Sequence, residues 1–571
     1  MKRDINHPDL YPVKGQYAPG EPVSLILETP PLYADTVHIT CWHLEQCVFE
    51  ESYPILGIVT EITLPGFSQK FLGLGVQAIL LKGGVIQTTI STAADVSIPG
   101  HVVRYGFLSS FDQGDMEDRD VAAMAKYHIN LVQFYDWSYR HDHLVAETDE
   151  YRDMMGKRNL LPCVRYKIDA CHQRGMGTMA YGAVYASSRA FWEEHKDWGL
   201  YSLPGKPLVF INTFYFMNIS RACPWHDHII HEYRKAIGKV GFDGIHMDTY
   251  GYPKAALNAL GEVCDLKELL PELIEDTDTQ LSAGGLKPRL IFNNVGAWPV
   301  EATMYTHQEA VYMEVWPPYE RLHHLKELIL KALPAGKPVV LAAYFAPFRL
   351  EPQERALYCS LIASFAINAC GATQIFLGEE NAILTQGYYA DHSILMPWQI
   401  RRIRDYQDFF VRYQELLYNP DLKDVTMTHC CWDNMEYCCD TPFSAYGEPA
   451  KLWLIIRESS VAKLVAMVNL FGNSEDYWNR GKEKPTTLYG ITFHILITGK
   501  VQNVFFASPD ADGGKTVSLP FTVKDTERGI VLTVTVPRLE IGGLLWLLEN
   551  TPSVAAATAP SRREPFGKPP S

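Results

Sequence analysis

The segment GFDGIHMDTYG, residues 241–251, decides the predicted fold. Its short middle part looks like a buried β-strand, in which Ile245 and Met247 alternate with His246 and Asp248. Successive side chains of a strand point to opposite faces, so the histidine and the aspartate share one face. A strand buried on both faces is normally apolar throughout. The polar face therefore indicates that this strand ends at a site.

Similar short strands alternate with helical stretches from residue 101 to about residue 424. The other seven strand candidates are RYGFLSSF, NLVQFYDW, GTMAYG, RLIFNNVG, AVYMEVWP, PVVLAAYF and TQIFLGEE. Eight strands that alternate with helices are typical of a (β/α)8 barrel, and about 300 residues suit that fold. The sequence predicts such a barrel over residues 101–424.

The flanking regions have a different pattern. Residues 1–100 and 425–550 contain short β-like runs separated by turn residues, without a sustained helical period. This pattern predicts one β-sandwich on each side of the barrel, the second with Greek-key connections. Residues 551–571 are rich in Pro, Ala and Ser and are predicted to be a disordered tail. The predicted fold is therefore multidomain.

Composition and charge exclude several classes of partner. The 571-residue chain carries a formal net charge of -15. An acidic chain is poorly suited to nucleic acids and anionic membranes. No apolar run approaches the length of a membrane span, and no secretory signal is visible at the amino terminus. We expect a cytoplasmic protein, as a monomer or homodimer, without nucleic-acid or membrane partners.

The twelve cysteines do not suggest a disulfide framework in so long a chain. One cluster stands out, HCCWDNMEYCCD, with Cys430, Cys431, Cys438 and Cys439. Its vicinal pairs do not match the usual spacing of zinc ligands. The sequence favours free thiols on the two strands of a hairpin over a zinc site, and no metal is predicted elsewhere.

Two carboxylates are placed for catalysis. Active sites of barrels lie at the carboxyl ends of the strands. Asp248 ends the fourth strand, and Glu314 shares the interior parity of the sixth strand with Tyr312 and Trp316. Two carboxylates beside aromatic rings are typical of sites that cleave sugars, where one acid protonates a leaving oxygen. The alternative for Asp248 alone is a helix cap or a turn, since aspartates at strand ends often have that role.

Other residues near the strand ends are candidates for substrate contacts. They are Tyr135, Asp136, Trp137, His141, Tyr181, His246, Asn293, Trp316 and Tyr344. Structural alternatives stay open: His246 as a hydrogen-bonded core histidine, and Trp137 and Trp316 as packing residues. Asp243 is predicted to have only a turn or capping role at the opposite end of the strand.

Three motifs together resemble glycoside hydrolase family 66, which contains endo-dextranases and cycloisomaltooligosaccharide glucanotransferases. The motifs are FYDWSYRHD, GFDGIHMDTYG and YMEVWP. The resemblance covers roughly residues 5–550 and implies an immunoglobulin-like domain, a catalytic (β/α)8 barrel and a carboxy-terminal β-sandwich. It also implies retaining cleavage of α-1,6-linked glucan, as in dextran or isomaltooligosaccharides, without a cofactor. Asp248 matches the family's nucleophile and Glu314 its acid/base.

One departure from the family pattern narrows this expectation. The glucanotransferase branch typically has a carbohydrate-binding module after the seventh strand. Here AAYFAPFRLEPQERALYC runs directly from that strand into the next helix, which favours hydrolysis. A glucanotransferase, a non-catalytic carbohydrate-binding barrel and a hydrolase of another α-linked sugar remain alternatives. Since no signal is visible, we expect an intracellular enzyme that acts on imported oligosaccharides.

Overall fold

The computed structural model of the chain describes residues 6–431 and 433–550. Eight parallel strands form one sheet in which each strand pairs with its predecessor in the chain. An isolated parallel bridge between Phe107 and Gly378 links the two edges, so the barrel is nearly closed. In chain order the strands are Tyr105–Leu108, Leu131–Phe134, Gly177–Ala183, Gly244–Asp248, Arg289–Val295, Ala310–Glu314, Val339–Ala342 and Thr373–Gln374. All eight predicted strands are confirmed, although the last has only two residues.

Helices alternate with these strands and cover the barrel. The larger ones are Arg119–Ala125, Leu161–Gln173, Pro224–Lys235, Leu266–Ala283, Leu322–Ala332, Gln353–Ala369 and Pro397–Arg412. The seventh strand is followed by the short helix Pro347–Leu350 and then by Gln353–Ala369. The direct connection that the sequence predicts here is therefore confirmed.

The fourth strand shows how local sequence positions the site. Gly241 ends the preceding helix with a left-handed φ of 106°. A side chain at Gly244 would lie 1.9 Å from the carbonyl oxygen of Arg289, so only glycine allows the fourth and fifth strands to pair here. Ile245 and Met247 pack between the strands and the helices, whereas His246 points into the barrel against Tyr312. The predicted division of the two faces is confirmed.

The amino-terminal region contains two antiparallel sheets that enclose one hydrophobic cluster. The first sheet consists of Asp9–Pro12, Pro22–Glu28 and Val59–Gly66. The second consists of Thr36–His43, Gln46–Pro54, Phe71–Lys82 and Val85–Ser97. Alternating buried and partly exposed residues, as in Thr36–His43, explain why each strand contributes one face to this core.

The carboxy-terminal region also has two sheets around a shared core. The main strands of the larger sheet are Leu452–Glu458, Ala462–Asn469, Gly542–Asn550, Lys500–Ala507 and Val517–Leu519. The smaller sheet contains Tyr437–Cys439, Leu488–Ile497, Gly529–Leu539 and Phe521–Thr526. The exact domain boundaries, the immunoglobulin-like topology and the Greek-key connections stay predictions.

The prediction of a cysteine hairpin is wrong. Cys430 ends the short helix Thr426–Cys430, because this turn packs its apolar side on the carboxy-terminal core. Cys438 and Cys439 lie in a strand that pairs with Leu488–Ile497 rather than with the segment before it. All four cysteines are free thiols.

Two further expectations concern the ends and the environment of the chain. The predicted disordered tail, residues 551–571, lies outside the described residues. Within the described residues, none of the helices combines the length and the apolar character that a membrane crossing requires.

Candidate active site

Asp248 and Glu314 meet at the carboxyl ends of the fourth and sixth strands. The side-chain amide of Asn293, from the fifth strand between them, donates to Asp248 Oδ1 at 2.7 Å and to Glu314 Oε2 at 3.2 Å. The two carboxylate oxygens are therefore no further apart than the sum of these distances, about 5.9 Å. The strand order predicted from the sequence thus brings both acids and Asn293 together.

Each of the two carboxylates accepts a hydrogen bond from a different tyrosine. Tyr181, from the third strand, donates its hydroxyl to Asp248 Oδ2 at 2.6 Å. Tyr344, just after the seventh strand, donates to Glu314 Oε1 at 2.8 Å. Hydrogen bonds to a charged acceptor are stronger than neutral ones, so these tyrosines hold both carboxylates in fixed orientations.

Burial dominates the electrostatics of the pair. Desolvation, together with the neighbouring Glu314, raises the pKa of Asp248 to about 7. Desolvation also raises the pKa of Glu314, while hydrogen bonds from Tyr344, Asn293 and Trp316 oppose that shift. Because two negative charges so close together repel each other, the pair favours a state in which the two carboxyl groups share one proton.

Three buried polar atoms near the pair lack a protein partner among the described residues. They are His141 Nδ1, Asn293 Oδ1 and the hydroxyl oxygen of Tyr250. Burial lowers the pKa of His141 to about 4, so its imidazole is neutral. Buried polar groups are normally hydrogen-bonded, and atoms of this kind are suited to the hydroxyl groups of a ligand.

Asp136 is held at the same mouth in an unusual conformation. Its φ of 51° lies in the left-handed region, which non-glycine residues rarely adopt. Desolvation raises the pKa of its carboxyl to about 7, and the nearby Lys157 opposes that shift. Besides burial, the negative charge of Asp136 raises the pKa of the hydroxyls of Tyr135 and Tyr181. Backbone strain of this kind concentrates at functional sites.

The structure separates two of the predicted contact residues from the mouth. Trp137 is completely buried, packs on Phe242 with ring centroids 4.7 Å apart and donates to the carbonyl of Tyr181. The expectation of a sugar contact at Trp137 is thus corrected to packing. His246 is 1 % exposed below Asp248, bonded to the hydroxyl of Tyr105, so it supports the site from below.

Two other predicted residues line the opening. Trp316 is 40 % exposed, and its ring lies edge-on to Tyr344. Tyr135 stacks on Tyr389 with centroids 4.6 Å apart. Rigid rings at the rim of a polar cleft are suited to the apolar faces of sugars.

Sequence reasoning missed Tyr250 and Tyr389. Tyr250 follows Asp248 by two residues, and that position beyond a strand end was a usable signal. Tyr389 comes from the irregular segment after the eighth strand, and its hydroxyl lies 2.9 Å from that of Tyr312 and 3.2 Å from that of Tyr344. No local pattern marks such a residue.

The side chains that could bind a metal ion lie away from Asp248 and Glu314. Among the described residues, one cluster could hold an ion, namely His323, His324 and Glu327 on the helix Leu322–Ala332. His324 Nδ1 accepts the backbone amide of Arg321, which places the proton of the neutral ring on Nε2. This arrangement does not suit a metal ligand, and the cluster lies outside the group around Asp248 and Glu314.

A barrel with two close carboxyl groups in a mouth lined by tyrosines is typical of enzymes that cleave glycosidic bonds. The model of glycosyl hydrolase family 66 matches residues 12–543. The chain therefore belongs to this family. Two curated relatives are cycloisomaltooligosaccharide glucanotransferases of Niallia circulans, 23 % and 22 % identical over 95 % of this chain and 72 % of theirs.

Solved structures agree on the fold. A cycloisomaltooligosaccharide glucanotransferase from Paenibacillus sp., complexed with cycloisomaltoheptaose, matches with a TM-score of 0.85 at 20 % identity. The match covers 95 % of this chain and 99 % of that one. A maltogenic α-amylase from Thermotoga neapolitana matches with a TM-score of 0.50 at 9 % identity, over 79 % of this chain and 100 % of that one.

Proposed function

We propose that the chain is a retaining glycoside hydrolase that cleaves α-1,6-glucosidic linkages of dextran or isomaltooligosaccharides. The observation that carries the proposal is that the side-chain amide of Asn293 donates hydrogen bonds to both Asp248 and Glu314. Retaining enzymes hold their two carboxyl groups about 5 to 5.5 Å apart, whereas inverting enzymes keep about 6.5 to 9.5 Å for a water molecule. The bound of about 5.9 Å on the nearest oxygens supports the retaining geometry.

In this proposal Asp248 is the nucleophile and Glu314 the acid/base. Tyr181 and Asn293 donate to Asp248 at 2.6 and 2.7 Å, closer than Tyr344 and Asn293 donate to Glu314, at 2.8 and 3.2 Å. Each carboxyl group has one further donor, the backbone amide of Thr249 at Asp248 and Trp316 at Glu314. Shorter bonds favour negative charge on Asp248 and leave the shared proton on Glu314. This division gives one ionised and one protonated carboxyl group, as the chemistry requires.

The reaction then has two balanced steps. Asp248 forms a bond to the anomeric carbon while the glycosidic bond breaks and the proton of Glu314 moves to the leaving oxygen. In the second step Glu314 takes a proton from water, the water oxygen bonds to the anomeric carbon, and the carboxylate of Asp248 leaves. Two inversions at the same carbon retain its configuration.

Two observations bear on the choice between hydrolysis and cyclisation. The curated relatives and the most similar structure reported above are named glucanotransferases, which favours the second reaction. However, the alignment with the first relative spans 707 positions, more than the 571 residues of this chain, so that relative has inserted residues that this chain lacks. The direct connection after the seventh strand lies where the family resemblance places an inserted module. We therefore favour hydrolysis and keep the cyclising glucanotransferase as the second candidate.

The test compares the wild-type chain with Asp248→Ala and Glu314→Gln. Each protein is incubated with dextran, linear isomaltooligosaccharides, a cyclic dextran and maltooligosaccharides, and the products are separated by chromatography. We expect linear isomaltooligosaccharides from the wild type, with an anomeric configuration by NMR that matches the substrate, and a loss of at least 10³-fold in both variants.

The matched control is Asp243→Asn. This aspartate lies at the other end of the same strand, where it bonds His172 and Thr178, and its substitution should leave turnover intact. Cyclic or lengthened products from the wild type would favour the glucanotransferase. If no α-1,6-linked glucan is turned over, the substrate assignment is wrong.

A further inference from the structure

A chain of three tyrosine hydroxyls ends on the carboxyl group of Glu314. Tyr312 and Tyr389 lie 2.9 Å apart, Tyr389 and Tyr344 lie 3.2 Å apart, and Tyr344 lies 2.8 Å from Glu314 Oε1. All three tyrosines are at most 5 % exposed. Tyr389 is the central member, and the segment after the eighth strand inserts it into the barrel interior.

The direction of this chain follows from counting protons. A tyrosine hydroxyl has one proton to donate. Tyr344 donates its proton to Glu314, so its oxygen accepts the proton of Tyr389. The oxygen of Tyr389 in turn accepts the proton of Tyr312. All three hydroxyls therefore donate toward Glu314 Oε1.

The reverse direction is disfavoured at the far end. If Glu314 donated a proton from Oε1 to Tyr344, the hydroxyl of Tyr344 would donate to Tyr389 and that of Tyr389 to Tyr312. The hydroxyl of Tyr312 would then need an acceptor of its own. Among the hydrogen bonds of the described residues, the hydroxyl of Tyr312 has Tyr389 as its partner and no other. A buried hydroxyl without an acceptor costs free energy, so the chain keeps Oε1 as an acceptor.

We propose that Tyr389 is a positioning residue for the acid/base, because the chain that it completes occupies Oε1 of Glu314 and leaves Oε2 to carry the transferred proton. This proposal rests on the acid/base role that we propose for Glu314. Oε2 is the oxygen that shares Asn293 with Asp248, on the side where the anomeric carbon must lie during attack. The longer bond of 3.2 Å from Asn293 leaves room on Oε2 for the proton.

Space near the other oxygen supports this assignment. A side chain at Gly387 would lie 3.2 Å from Glu314 Oε1 and 3.3 Å from the ring of Trp316. The segment with Gly387 and Tyr389 therefore closes the Oε1 side of the carboxyl group. This packing favours approach of a leaving group to Glu314 from the side of Oε2.

The variant that tests the proposal is Tyr389→Phe, made in the full chain. It removes both hydroxyl bonds but keeps the ring that stacks on Tyr135. The matched control is Tyr127→Phe, because Tyr127 is 1 % exposed and its hydroxyl bonds to Asn381, away from the carboxylates. Thermal unfolding confirms that each variant is folded before kinetics are compared.

Comparing kcat/KM on two substrates distinguishes a positioning role of Tyr389 from a general loss of structure. For isomaltooligosaccharides, whose leaving oxygen needs a proton, we expect Tyr389→Phe to lower kcat/KM at least fivefold. For a 4-nitrophenyl isomaltooligoside, whose leaving group needs little protonation, the change should stay within twofold. The pH limb that reports ionisation of Glu314 should move to higher pH by about half a pH unit, because the carboxylate loses donation along the chain. Tyr127→Phe should change neither readout.

A second measurement does not depend on turnover. In Asp248→Asn protein, infrared titration follows the carboxyl stretch that disappears when Glu314→Gln is added, and its midpoint should rise with Tyr389→Phe. An unmoved midpoint, or equal losses on both substrates, would overturn the role of Tyr389. If the wild type fails to cleave α-1,6-linked glucan but the midpoint still rises, the proposed function fails and the hydroxyl chain stands.

Discussion

At the scale of single residues, the ionised carboxyl group of Asp248 lowers the stability of the folded protein. Desolvation and Glu314 raise its pKa in the folded state to about 7, while an exposed aspartate titrates near 3.9. The unfolded chain therefore releases this proton at lower pH than the folded chain. By linkage, wild-type stability is lost as pH rises from about 4 to about 7.

We predict that Asp248→Asn stabilises the protein at pH 8 by about 2 kcal/mol. A difference of about three pKa units corresponds to about 4 kcal/mol, and about 2 kcal/mol of it is lost because the new amide nitrogen cannot accept the hydrogen bond from Tyr181 or Asn293. The gain should shrink toward pH 4, where the folded wild type is protonated at Asp248 and the unfolded chain is about half protonated there. Urea unfolding at the two pH values measures it. Asp243→Asn should have the opposite sign at pH 8, because bonds from His172 and Thr178 outweigh burial and lower the pKa of Asp243. A wild-type stability that rises from pH 4 to pH 8 relative to Asp248→Asn would contradict this account.

At the scale of elements, one carboxylate helps to join the last and the first strands of the barrel. The eighth strand has only two residues, so few ladder hydrogen bonds can join it to the first strand. Glu379, just beyond it, accepts the backbone amides and the hydroxyls of both Ser109 and Ser110, at 2.7 to 3.2 Å. This buried side chain replaces part of the missing ladder.

We predict that Glu379→Gln destabilises the protein by about 2 kcal/mol, because the amide nitrogen cannot accept from the donors that it would face. The control is Glu380→Gln, which changes the exposed neighbour and should stay within about 0.5 kcal/mol. Urea unfolding of both variants is the measurement. Equal effects of the two substitutions would show that closure does not depend on Glu379.

At the scale of the whole molecule, buried charged side chains connect the flanking sheets to the barrel. Asp95, in the last strand of the amino-terminal sheets, pairs with Arg104 before the first barrel strand and accepts from Gln414 at 2.8 Å. On the other side, Arg457 of the carboxy-terminal sheet donates to the carbonyls of Leu417 and Leu422. These contacts predict that the three regions unfold together.

Asp95→Ala should lower the free energy of unfolding by about 3 to 5 kcal/mol, because it leaves the charge of Arg104 buried without its partner. The comparison is Arg189→Ala, which breaks an exposed pair with Glu193 and should change stability by at most about 0.5 kcal/mol. Calorimetry should show one transition for the wild type. A separate transition for the amino-terminal sheets in the wild type would refute the coupling.

The order of elements and the placement of the two acids were predictable from local patterns in the sequence. Strand periodicity is a local property, so alternation put His246 and Asp248 on one face and Glu314 on the interior face of its own strand. The barrel strands were predictable for the same reason. The rule that barrel strands end at one mouth then brought residues distant in the chain together.

The surroundings of those acids depend on contacts that form when the barrel closes, and they were not predictable. Trp137 lies one residue after Asp136 and looks equally placed in sequence, yet the left-handed turn at Asp136 sends the indole behind the sheet. Tyr389 and the serines that bind Glu379 come from irregular segments, where no period indicates direction. Their positions depend on closure of the barrel between its first and last strands, a contact between residues about 270 positions apart. Local sequence patterns do not predict contacts between residues so far apart in the chain.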